Sequence, residues 1–222
     1  NVASLTIDRC LDDLDPAVVT RILVPGPNGR YRFAHALVRD AVLADLSPLR
    51  LARLHLRAAD AIETLAGNDP DRHEPIATHR WQALAVDDPT RVGEALVRAA
   101  DTARRRGSFE RPRELLDWAF IALRRAPASE RRNEAEMGAA ESLGTLASME
   151  SGLLSPREVA DIVREVADRS DSDIARVLSL FMQWSELTTT ADPVMVQLLR
   201  RADALLARST EPYVQCMGHY II

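Results

Sequence analysis

Lysine is missing from this chain: all 28 basic residues are arginines. That bias points to a GC-rich genome of the actinobacterial kind and carries no chemistry. Two cysteines, Cys10 and Cys216, are too few for a disulfide framework and read as reduced intracellular thiols. No apolar run approaches the ~18 residues of a membrane span, and no signal-peptide pattern opens the chain. A cytoplasmic, non-membrane protein is the expectation. No Gly-x-x-x-x-Gly-Lys-Ser/Thr occurs, so the chain carries no phosphate loop. No Ser/His/Asp set, Cys/His pair or paired-carboxylate cleft stands out either. An enzyme is therefore not expected, and no cofactor of the chain's own.

What is present favours helices. Apolar residues make up 46% and charged residues 27% of 222 positions, while aromatics reach only 5%. Alanine and leucine dominate, which suits helix–helix packing. The chain opens on Asn1 without methionine and stops inside an apolar stretch, 213–222. It reads as a piece of a longer protein.

Along the chain, Ile7, Cys10, Leu11 and Leu14 predict a short helix over 6–14. Asp15-Pro16 reads as the start of a second helix, 16–24. Ile22-Leu23-Val24 reads as a strand, Pro25-Gly26-Pro27-Asn28-Gly29 as a turn, and Tyr31-Arg32-Phe33 as the partner strand. Together these make a small hairpin, or wing, after two helices. From residue 49 only helices are expected: 49–66, 73–86, 89–106, 110–125, 129–150, 156–169, 171–188, 192–208 and 211–222. Pro behind a capping Ser or Asp punctuates several of them.

Paired hairpins near 89–125, 129–169 and 171–208 recur at roughly 40 residues, within the range of helical repeats. The first pair resembles a tetratricopeptide unit. Ala99, Ala103 and Gly107 form its small-residue face, and Ala119 and Ala126 line the return helix. The usual tryptophan is missing, and Glu110 stands where an aromatic residue is common. Stacked hairpins of this kind bury a continuous core and leave a concave surface. The fold class expected is all-α: a partial winged helix with a small β-hairpin over 1–48, then a TPR-like α-α superhelix over 49–222.

Residues 30–47 are the most informative stretch. A histidine, His35, stands where a strand hands over to an amphipathic helix. Free backbone N–H groups and the helix dipole favour an anion there, and an imidazole N–H adds a directed donor. The alternative is that His35 caps the helix, or pairs with Asp40 or a backbone carbonyl. Arg39, one turn on, shares its face; it supports the same anion, pairs with an acid of a domain outside these residues, or forms a surface ion pair.

Tyr31-Arg32-Phe33-Ala34-His35-Ala36-Leu37-Val38-Arg39-Asp40 resembles the junction region of bacterial STAND ATPases, the large MalT-like, LuxR-type or cyclase-linked regulators. Leu46-Ser47-Pro48, Leu54-His55, Ala58 and Ala59, His79 with Ala83, and Ala99-Ala100 with Ala103 continue the match over residues 30–123. Residues 130–222 match only as generic repeat. The resemblance implies a P-loop ATPase module ahead of a winged helix and a helical-repeat sensor arm. It also implies a role for His35, since in related STAND proteins a winged-helix histidine touches the β-phosphate of bound ADP and holds the closed state. His35, with Arg39 in support, is then the contact to ADP carried by an ATPase domain outside this chain, and ADP–ATP exchange frees the arm. Neither that ATPase nor a LuxR-type helix-turn-helix lies in these residues, so DNA contact belongs to a separate domain.

The other histidines invite a metal reading that their spacing resists. His73 and His79 are out of phase on one helix, and no Cys or acid pair completes a set with His55. His55 is expected to pack between helices, and His219 tells nothing. The segment 98–132 holds ten arginines against five acids, while the whole chain is net −5. Without interleaved aromatics this reads as solvated helix ends or a docking face, not as a nucleic-acid surface. The helix expected over 16–24 is mostly apolar with one arginine, unlike a recognition helix, and the wing reads as an intramolecular switch. Trp81, Trp118 and Trp184 are anchors for a partner on the arm or parts of its core. Two functions remain: a regulatory module of a STAND-type transcription regulator, whose arm binds an effector or protein, and a plain TPR-like scaffold without a nucleotide link.

Overall fold

The computed structural model describes residues 7–27, 30–67, 69–108, 110–149, 156–169, 172–187 and 194–222. They form eleven α-helices and one two-stranded antiparallel sheet, an all-α fold with a small hairpin. Two compact units divide at Asp87/Asp88. The helices that follow Ser47 up to Gln82 fall within the first unit.

In the first unit, α1 (Ile7–Val19) is one helix where two short ones were expected, and Pro16 lies inside it. The proline removes a single N–H from the ladder. The half-buried positions Cys10, Leu14, Ala17 and Val18 keep one face running through it. Arg21, at φ 58°, ends that run. Strand β1 (Leu23–Pro25) pairs with β2 (Tyr31–Phe33) in the register Leu23↔Phe33, Val24↔Arg32, Pro25↔Tyr31. Pro25 is tolerated because each strand of a two-stranded sheet is an edge. Gly26 N donates to Arg30 O at 2.7 Å and closes the turn; the expected Asn28-Gly29 tip lies outside the described residues. Helix α2 (Ala36–Ala44) follows directly.

Helix α3 (Pro48–Ala66) starts on Pro48, with the Ser47 hydroxyl accepting from Arg50 N. Through a short 3-10 turn (Pro70–Arg72) it leads to α4 (His73–Gln82), and the two helices pack through Ala52, Ala59, Ile76 and Ala77. Helix α4 is shorter than the expected 73–86. Beyond Gln82 the chain turns, with Val86 N on Ala83 O at 2.8 Å, and Asp87 is drawn back onto Arg80.

The second unit is the repeat array: α5 (Pro89–Arg105), α6 (Glu110–Arg125), α7 (Glu130–Met149), α8 (Pro156–Arg169), α9 (Asp173–Leu187), α10 (Val194–Arg208) and α11 (Pro212–Ile221). Asp88 caps α5, its carboxylate accepting from Thr90 N at 2.9 Å with Pro89 in the first turn. Gly107, at φ 79°, supplies the left-handed residue that ends the helix, and Ser108 N reaches back to Ala103 O at 3.1 Å. The expected partners α5/α6, α7/α8 and α9/α10 do pack together, but α8 also packs closely on α9, across the expected boundary between two hairpins. Several expected separators, including Ser155, Ser170-Asp171 and Asp192-Pro193, fall outside the described residues.

The alternate helices α5, α7, α9 and α11 each pack on the next, the arrangement of stacked helical hairpins sharing one core. Val92, Leu96 and Ala99 of α5 and Leu115, Ala119 and Leu123 of α6 are buried at one end, where these two helices pack. Val177, Leu198, Leu205, Val214 and Ile221 form the core at the other. Among the described residues no helix is long and apolar enough to cross a membrane.

Candidate functional site

The hairpin delivers His35 to the mouth of α2. Ala34 N donates to Ile22 O at 2.9 Å and extends the β pairing up to the histidine. His35 is the N-cap residue, extended at φ −131° and ψ 135°, and its carbonyl accepts from Val38 N at 3.2 Å and Arg39 N at 3.4 Å. Its imidazole makes no capping hydrogen bond and is exposed. Asp40, the other partner considered for it, is engaged elsewhere: Arg39 donates Nε and Nη2 to Asp40 Oδ1 at 2.9 and 2.8 Å. Both members of that pair are exposed, so the bond itself adds little stability. His35 and Arg39 thus lie one turn apart, with the guanidinium held on its neighbour.

Helix α2 has no buried residue. Leu37 is 82% exposed, Val42 49% and Leu43 40%. Val19, Ile22 and Tyr31 in the preceding elements are exposed as well. Scattered apolar residues on a surface need no explanation, but a whole amphipathic helix without a buried side chain offers a face to another surface.

A second constellation joins α3 to α4. His55 and His79 stand Nδ1 to Nδ1 at 2.8 Å, with ring centroids 5.1 Å apart. One ring donates and the other accepts, so the pair works with both imidazoles neutral. Burial pushes the His55 pKa down; burial, and then the charge of His55, push His79 down. His73, in the first turn of α4, is not part of this contact, and no group of three or more possible metal ligands occurs among the described residues.

Beside His79, the Arg80 side chain is wholly buried. Its Nε and Nη2 grip the two oxygens of Glu63 at 3.0 and 2.8 Å, Nη2 also reaches Asp60 at 2.8 Å, and Nη1 reaches Asp87 at 2.7 Å. Burial works against the guanidinium's charge, but the hydrogen bonds and charges of Glu63 and Asp87 outweigh it and raise its pKa. Sequence reading missed this cluster. Its one local signal is the acid pair Asp60 and Glu63, three apart on one helix face.

Part of the arginine-rich segment is committed to acids. Arg111 pairs with Glu114, Arg113 with Asp117 at 3.0 Å, Arg131 with Glu94 at 2.7 Å, and Arg132 with Glu136 at 3.2 Å. The three tryptophans are half-buried. Trp118 lies under the Arg111 guanidinium at 5.2 Å, and Trp184 stacks on Phe181 and meets the edge of Tyr220. Compared with known protein families, curated proteins and solved structures, the chain matches none.

Proposed function

We propose that this chain is the regulatory module of a STAND-type ATP-dependent transcription regulator: a partial winged helix that closes on an ATPase domain, followed by a TPR-like arm that binds an effector or protein partner. The observation that carries this reading is the state of α2. Its N-cap histidine is exposed, with no side-chain capping hydrogen bond among the described residues, and the helix behind it buries none of its apolar side chains. A helix N-terminus with a free imidazole suits a phosphate oxygen. An unburied Leu37, Val42 and Leu43 suit the wall of a second domain.

In this scheme the ADP phosphate, held by the ATPase domain, accepts a hydrogen bond from His35. The Arg39 guanidinium lies one turn away and supports the same charge. ATP replaces ADP, the contact is lost, and the module swings free; nucleotide biases two states by its different affinity for each. Hydrogen exchange on the parent protein tests this. Amides of α2 are expected to be protected with ADP and exposed with ATP. Equal protection in both states overturns the switch and leaves the second reading, a plain helical-repeat scaffold.

A further inference from the structure

Helix α9 packs against both α8 and α10, and a cleft of about 630 Å³ opens over it. Arg164 and Asp168 come from α8, Arg176 and Leu180 from α9, and Arg201 and Arg208 from α10. The volume is that of a small-molecule site.

The arginines are not ordinary surface pairs throughout. Arg164 does bind Asp161 on its own helix at 2.6 Å. Arg208, however, crosses from α10 to Asp173 Oδ1 at 2.6 Å, where Arg176 already donates at 2.8 Å. Two guanidiniums with five N–H donors each converge on one carboxylate, which cannot accept them all. Burial is the largest single influence and opposes the charge of Asp173, but the hydrogen bonds and charges of Arg176 and Arg208 together outweigh it and hold its pKa below the usual carboxylate range. Arg201 lines the same cleft with no acid within ion-pair reach among the described residues. Ala167, Leu180 and Leu205 supply an apolar floor.

We propose that this cleft binds a small organic molecule bearing two or more oxyanionic groups, carboxylate or phosphate. The Arg208 donors that Asp173 does not take hold one oxyanion, and Arg201 takes another. Guanidinium forks match both oxyanion types bidentately. The apolar floor packs the carbon skeleton between them. Asp168 is the one acid of the lining and opposes the ligand's charge. The site stands apart from the nucleotide reading of His35 and fails or holds independently of it.

Calorimetric titration of the 222-residue chain with citrate and, separately, with pyrophosphate at low ionic strength tests the proposal. Saturable binding of at least one is expected; citrate alone marks a carboxylate ligand, pyrophosphate alone a phosphate ligand. Arg201→Ala is expected to weaken it about tenfold or more, the worth of a charged hydrogen bond. Arg125→Ala, an exposed arginine outside the cleft, is expected to leave it unchanged. Asp168→Asn is expected to tighten it. Arg201 is exposed, so its loss leaves the core intact; Arg201→Gln repeats the test with a side chain of similar length. No saturation with either anion, or equal weakening by Arg201→Ala and Arg125→Ala, overturns the proposal.

Discussion

His55 and His79 share one hydrogen bond, Nδ1 to Nδ1 at 2.8 Å, across the contact of α3 with α4. One imidazole must donate and the other accept, so a second proton on the pair breaks the bond and sets two charges side by side. Both rings have pKa values pushed below the ordinary 6.5, His55 by burial and His79 by burial and His55. A group whose folded pKa lies below its unfolded one contributes stability above the unfolded value and loses it as pH falls through the folded one. The first unit is therefore expected to be at full strength above about pH 6.5 and to weaken below it. The nearby acids Asp60, Glu63 and Asp87 all accept hydrogen bonds from Arg80. Urea denaturation across pH 7.5 to 5 checks this, and His55→Asn is expected to flatten the slope.

Arg80 anchors the same pair of helices. Arg80→Ala removes the guanidinium bound by both Glu63 and Asp87, whose side chain is only 5% exposed. Breaking a buried ion pair from one side costs about 3–5 kcal/mol. Arg80→Lys is expected to recover only part of this, because one ammonium cannot span the Glu63 fork and Asp87 together. Thermal unfolding of the two variants makes the comparison; equal stability of Arg80→Lys and the parent would sink it.

Most helices were legible in the sequence because their ends are chemically marked. Ser47-Pro48, Asp88-Pro89 and Glu211-Pro212 all open helices in the structure. The same rule misled at Asp15-Pro16, where the apolar face of Cys10, Leu14 and Val18 overrode the proline and kept α1 whole. The strand-to-helix placement of His35 was legible because turn residues and a short aromatic strand precede it. The His55–His79 contact was not, since the residues sit 24 apart on separate helices and meet only through packing. Arg80 was hidden for the same reason. Its partners lie 17 and 20 positions back and 7 ahead, and no local spacing announces a buried arginine.

Gly93 sets how closely α5 and α6 approach. A Cβ there would lie 2.6 Å from Leu123 Cδ2, and Leu123 is itself fully buried. Alanine improves helix propensity by about 1 kcal/mol, but overpacking a closed core costs about 1–3 kcal/mol. Steric conflict wins, so Gly93→Ala is expected to destabilise the arm. Leu123→Ala opens the space, and the double variant is expected to lose less than the sum of the two single losses. Denaturant midpoints of all four proteins decide it; simple additivity would show that the two sites are independent.

The proposed switch turns on His35 holding ADP in the closed state. The most direct measurement is to purify the parent protein with its ATPase domain, denature it, and chromatograph the released nucleotide for wild type and His35→Ala. ADP is expected to be retained by wild type and lost from the variant, with both proteins folded to the same degree. Equal ADP in both contradicts it, reduces His35 to the residue that begins α2, and leaves the chain a helical-repeat scaffold.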